Sequence, residues 1–226
     1  MDGASSTESV QLMRSLLAAA RHKSTDLLAQ LHPAWVKMAC QRIGCRASPP
    51  GSADGQLRWS SVFAGIYGLR WTSLAAFRHR AHRIALLPRP DMMQLLSAIA
   101  LHADRERVRR CIGRTMRAAL VERIGEAAYA ALLDAPPRPG TNDNALTEQE
   151  LHADRLAASG YAVLSARHAW RCRHTLAWVR LALPPSRGRA EPDNAADSDP
   201  VLDRLPTFFP EHAWLFGSHM DRALSA

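Results

Sequence analysis

Apolar residues recur every three or four positions along much of this chain, the spacing of a helix with one buried face. Val10, Met13, Leu16 and Leu17 share a side of a helix predicted over 10–21. Ser24, Thr25 and Asp26 offer side-chain oxygens that can cap a short second helix ending at Leu31. Pro33 suits the first turn of a third helix, which continues through Trp35, Met38 and Ile43 and closes at Gly44. Residues 46–56, RASPPGSADGQ, read as loop. Trp59, Phe63, Tyr67 and Trp71 then recur every four residues, which predicts an aromatic helix face packed in the core. Thr72 to Ile84 is predicted helical, with Leu74 and Phe77 inward, Arg78, Arg80 and Arg83 outward, and Pro88 and Pro90 ending it.

The longest helical stretch follows. Asp91 is placed to cap a helix that buries Met92, Leu95, Leu96 and Ile99. His102-Ala103 marks a break, and Asp104 is a second cap. Beyond it, the helical wheel puts Val108, Cys111, Ile112, Thr115 and Ala119 on an inward side, and Arg107, Arg110, Arg114 and Arg117 on an outward one. Gly125 ends this helix, and Glu126 to Leu133 adds another turn or two. Thr147 heads a helix to about Trp170, with Glu148 and Glu150 at its positive end and Gly160 as a propensity cost inside it. Segment 174–183, HTLAWVRLAL, fits both periods. The alternation of Val179, Leu181 and Leu183 predicts a strand or extended segment near 175–183. A short C-terminal helix from Pro210 to Leu224 is expected to dock through Trp214, Leu215 and Phe216. The fold class is therefore mainly α, a single-domain irregular multi-helix bundle over 9–226. A disordered leader is expected at 1–8, with flexible loops near 46–56, 135–145 and 184–200.

Composition supports a packed core, with 47% apolar residues, many of them the helix formers Ala and Leu. No run of about 18 apolar residues suggests a membrane span. The N-terminus lacks the basic and apolar blocks of a secretory signal, so a cytoplasmic location is expected. Cys40, Cys45, Cys111 and Cys172 are then expected to be reduced thiols.

Charge changes the picture more. Between Arg70 and Arg123 stand twelve arginines and four acids, enough to account for the whole formal charge of +8. Such a concentration suits an acidic protein surface, a membrane surface or nucleic acid. The stripe Arg107, Arg110, Arg114 and Arg117 is the candidate partner contact. A basic helical nucleic-acid-binding protein is the alternative reading, although neither a recognition-helix pattern nor RNP aromatics are present.

Catalytic chemistry finds little support. His79 and His82 are spaced to meet on a helix face but have no carboxylate nearby, so they read as surface histidines. Cys172 and His174, with His168, lack further ligands. Cys111 sits beside Arg109 and Arg110, which could activate a thiol, but faces the apolar side of the wheel. GxSxG, P-loop and GxGxxG patterns are absent. No catalytic residue, cofactor, metal or small-molecule substrate is expected. The pentapeptide at Leu101–Arg105, LHADR, recurs at 151–155. Its flanks do not align, which favours coincidence over duplication.

Two places carry a family resemblance. Leu101-His102 is followed by Val108-Arg109-Arg110-Cys111-Ile112, and Trp170 to Pro184 reads WRCRHTLAWVRLALP. These resemble the SctK family (YscK-like accessory proteins) of bacterial type III secretion systems, including Hrp-type members. Leu31-His32-Pro33-Ala34-Trp35 resembles an early feature of the Hrp-type proteins. Ala103 stands where that family has Gly. The resemblance implies a mainly helical, non-catalytic adaptor of the cytoplasmic sorting platform. It implies two protein partners, an SctQ-like pod protein and the cytoplasmic domain of an SctD-like inner-membrane ring protein. The implied location is the cytoplasmic face of the inner membrane, with membrane association only through the apparatus.

Overall fold

The computed structural model describes residues 3–44, 52–71, 73–111, 113–137, 144, 146–166, 172–185 and 199–225. All regular elements among them are helical. In chain order the first are α1 (Gly3–Thr25), α2 (Leu27–Gln30), α3 (Pro33–Arg42), α4 (Ala53–Ile66) and α5 (Arg80–Arg83). Then come α6 (Arg89–Ala103), α7 (Arg105–Arg109), α8 (Arg114–Ile124), α9 (Glu126–Asp134) and α10 (Ala153–Ala166). The chain closes with α11 (Arg173–Ala182), α12 (Asp199–Asp203), α13 (Leu205–Phe208), α14 (Ala213–Phe216) and α15 (Ser218–Ser225). Short 3-10 turns occupy Leu74–Arg78, Ile84–Leu86, Glu148–Leu151 and Pro210–His212.

The chain falls into two compact units. Unit 1 comprises Met1–Met92, Trp170–Arg187 and Gly217–Ala226, and unit 2 comprises Met93–Ala169 and Gly188–Phe216. α1 begins at Gly3, inside the stretch expected as a leader. The loop expected over 46–56 is helical from Ala53, and its 46–51 part lies outside the described residues. Most of the loops expected near 135–145 and 184–200 lie outside them too.

In unit 1, α1 packs against α4 and α15. It turns Leu16 fully inward, while Val10 and Leu17 remain 48% and 53% exposed, so the buried face is not the one read from spacing. The aromatic stripe holds through Tyr67, with ring centroids 5.5 Å apart for Trp59–Phe63 and 6.5 Å for Phe63–Tyr67. Trp71 lies beyond the end of α4 and stacks on Trp178 at 4.4 Å instead.

The strand expected near 175–183 is wrong: those residues form α11. Thr175, Trp178, Val179 and Ala182 are buried, an i, i+3, i+4, i+7 set that only a helix places on one face. The last carbonyls of α11 are satisfied from outside it. His32 N–H donates to Leu181 O (2.8 Å), Arg89 Nε to Ala182 O (2.9 Å) and Trp35 Nε1 to Leu183 O (2.8 Å). These bonds meet the need of a helix end for outside donors.

The continuous helix expected over 72–84 is also corrected. Two 3-10 turns and α5 replace it, Leu74 is 39% exposed, and Arg83 is fully buried although it was expected to face outward. His82, expected on the surface, is buried as well. Its Nδ1 lies 2.7 Å from Ala76 O, and its Nε2 accepts from Cys172 N–H at 3.3 Å.

Lys23 of α1 is 2% exposed, and its Nζ donates to Leu87 O at 2.5 Å. Burial lowers its pKa to about 7, although the Asp91 carboxylate pulls the other way. Between about 7 and the ordinary 10.5 the unfolded chain binds this proton and the folded chain does not. Stability should therefore rise with pH across that window, by up to about 1.4 kcal/mol per pH unit. Thermal melts at pH 7, 8 and 9 should show the rise. Lys23→Met should flatten it and melt higher than the parent at pH 7. A parent melting point that falls over this range would refute the assignment.

In unit 2, α6 buries Met93, Leu95, Leu96 and Ile99. The helix starts at Arg89, so Asp91 lies in its first turn and is not the cap as expected. The helix expected from Asp104 to Gly125 is broken in the middle. Gly113, at φ 143°, separates α7 from α8, and Gly125, at φ 83°, separates α8 from α9. Side chains larger than hydrogen rarely adopt either conformation. Thr147 and Glu150 form a reciprocal capping box on the Glu148–Leu151 turn, and α10 itself begins only at Ala153. The C-terminal helix expected over Pro210–Leu224 is split into a 3-10 turn, α14 and α15, with Leu215 and Phe216 fully buried and Trp214 36% exposed.

Candidate functional site

Arginine is the residue type on which the site depends, and most of the arginine-rich region is used to build the fold. Most of the twelve arginines between Arg70 and Arg123 donate inside their own unit. Arg78 Nε donates to Leu224 O (2.7 Å), and Arg89 caps α11 as described. Arg80 and Arg83 converge on Asp221 of α15, with Nη2–carboxylate distances of 2.5 and 2.6 Å. Partial burial would raise the Asp221 pKa, but the hydrogen bonds from Arg80 and Arg83 together hold it below the usual carboxylate value. Arg105, nearly buried, donates from Nε to Pro136 O (2.7 Å) and from Nη1 to His102 O (3.1 Å). Arg109 reaches Leu133 O (3.0 Å), Ala135 O and Glu106 (2.6 Å), so it closes the carbonyl end of α9. A planar guanidinium can serve several acceptors at once, which suits it to this task.

The four stripe residues do not remain together. Arg107, on α7, is bound into the fold by Glu150 (2.9 Å) and by Asn144 O (2.9 Å). Glu150 is held at a pKa of about 2, first by the Thr147 backbone N–H, against burial, and then by Arg107. Arg110 follows the end of α7 and is exposed. Arg114 and Arg117 begin α8, also exposed. Arg117 lies 3.5 Å from Glu126 and 5.6 Å from the Tyr129 ring centre. The break at Gly113 means that no single helix aligns all four.

The inward side of the wheel is divided as well. Val108 is buried, Cys111 is half-buried with Sγ 3.2 Å from Arg107 O, and Ile112 lies outside the described residues. Thr115, expected inward, is exposed. Thr115, Met116 and Ala119 line an open groove of about 600 Å³ between α8 and the Glu148–Leu151 turn. Leu151, Arg123 and Arg155 line it too. Sequence reading missed this groove, because it arises where a helix face fails to meet the core. The Thr147–Glu150 capping box was the one local signal of its second wall.

Among the described residues no group of three or more His, Cys, Asp or Glu side chains is placed to hold a metal ion. No helix among them is long and apolar enough to cross a membrane.

The model of one protein family, described as "Bacterial type III secretion protein (HrpB4)", matches residues 8–211. No curated protein and no solved structure matches the chain. The match agrees with the resemblance seen in the Leu101–Ile112 and Trp170–Pro184 segments and covers most of the sequence. On that match the chain belongs to the HrpB4 family of bacterial type III secretion proteins.

Proposed function

We propose that this protein is a non-enzymatic adaptor of the cytoplasmic sorting platform, joining an SctQ-like pod protein to an SctD-like inner-membrane ring protein and so supporting effector secretion. The family match over residues 8–211 carries this reading. The all-helical architecture of the described residues and the arginines left exposed at Arg110, Arg114 and Arg117 support a role exercised through surfaces. Arg107 contributes by holding Glu150 and the turn beside α8. The alternative, a nucleic-acid-binding protein, loses ground because most of the twelve clustered arginines donate within the fold.

Each exposed ion pair contributes only about 0–1 kcal/mol, so partner binding must use several. Arg110→Glu with Arg114→Glu should weaken co-purification with the pod or ring protein by about 5–30-fold, the factor for 1–2 kcal/mol. The loss of co-purification should exceed any change in thermal stability. Undiminished co-purification and secretion would remove these arginines from the interface. Salt-steep retention of the parent on DNA, without either protein partner, would favour the alternative.

A further inference from the structure

We propose that the groove between α8 and the Glu148–Leu151 turn is a docking cleft for an acidic amphipathic segment of a partner protein. The proposal rests on the adaptor reading only in expecting that partner to be a component of the secretion apparatus. Its first support is a face without a core to cover. Thr115 and Ala119 continue the apolar side of the helical wheel, yet Thr115 is exposed and Ala119 only partly covered. Met116 and the buried Leu151 add apolar surface to the same opening. At about 600 Å³ the opening can take a few side chains of a docking segment.

Charge selects the occupant. Arg123 and Arg155 line the groove, with Arg123 4.0 Å from Glu122. The facing turn carries two acids. Glu150 is already engaged by Arg107 and by the Thr147 amide and hydroxyl. Glu148 alone among the lining residues supplies negative charge. Two guanidinium groups against one carboxylate give the lining itself a positive balance around an apolar floor. A segment with apolar anchors on one face and carboxylates beside them matches both features, in the manner of a helix laid in a groove. Nucleic acid would match the charge and leave Met116, Ala119 and Leu151 uncovered.

A photo-crosslinking amino acid at Ala119 of the full chain, in cells with an assembled apparatus, tests the proposal, with mass spectrometry to identify the captured peptide. The expected capture is an acidic segment of an apparatus protein. Arg123→Glu with Arg155→Glu should reduce it at least tenfold, and arginines in place of the captured carboxylates should restore it. The same crosslinker at Thr115 should capture the same segment, which guards against misfolding at one position. An acidic segment from a protein outside the apparatus would support the cleft and count against the adaptor reading. A crosslink within this chain, to a second copy, to nucleic acid or to a basic segment would overturn the cleft and leave the adaptor reading to the co-purification test. So would capture that is absent at both positions or indifferent to the two arginines.

Discussion

Asp221→Ala is expected to destabilise unit 1 by about 3 kcal/mol, the low end for breaking a buried ion pair, because a third of the Asp221 side chain is exposed. The substitution leaves Arg83 fully buried with its charge unbalanced. Its remaining donors still reach Phe77 O (2.6 Å) and Arg78 O (3.3 Å), which limits the loss. Trp35, Trp59, Trp71 and Trp178 all belong to unit 1, so tryptophan fluorescence during urea unfolding reports the change. Arg83→Met in the Asp221→Ala background should recover much of the loss, since an apolar side chain of similar length needs no counter-charge. A double variant no more stable than Asp221→Ala would show that the pair is not what matters. The carboxylate also sets an acid limit. Its contribution is fully present above the ordinary aspartate value of 3.8 and is lost as pH falls through the lower folded value.

Gly160→Ala is expected to be damaging too, in unit 2. A Cβ at Gly160 of α10 would lie 1.8 Å from Leu96 O and 2.7 Å from Leu96 C on α6. Both neighbours are backbone, so no rotamer change can relieve the overlap and the two helices must separate. Replacing a helical glycine by alanine ordinarily gains about 1 kcal/mol. Overpacking costs about 1–3 kcal/mol and occasionally more, and a backbone collision this close belongs at the upper end. The clash therefore wins, with a net loss of roughly 2 kcal/mol or more. Gly65→Ala is the internal control. Gly65 also lies in a helix, α4, with nothing within 4 Å of its Cβ position. It should gain from a few tenths to about 1 kcal/mol. Circular dichroism melts of the two variants should move in opposite directions, and a neutral Gly160→Ala would refute the close approach.

In sequence the arginines from Arg70 to Arg123 look like a displayed patch. In the fold Arg78, Arg89, Arg105 and Arg109 complete helix ends or loops by donating to carbonyls, and Arg80, Arg83 and Arg107 hold acids. Many short helices leave many carbonyls without an intrahelical donor, and arginine can reach several of them from one position. In unit 2, Arg110, Arg114, Arg117, Arg123 and Arg155 are at least partly exposed.

The sequence by itself determined what is local. Helical periodicity, Pro33 at a helix start, the Gly125 stop, the acids at the head of the Thr147 segment and the buried face of α6 were all legible, because each depends on residues within a turn or two. The family was legible for the same reason, in contiguous motifs. Tertiary structure alone decided the remainder. Segment 175–183 fits both a strand and a helix by pattern, and it became α11 because His32, Trp35 and Arg89 supply donors for its carbonyl end. Arg83 turned inward because Asp221, 138 residues away, awaits it. Gly160 reads as a weak helix residue until Leu96 is brought against it. The groove beside α8 has no sequence signature, since an apolar face looks the same whether it meets a core or an opening. Local pattern fixes which face is apolar, and only the packing of distant segments fixes what that face meets.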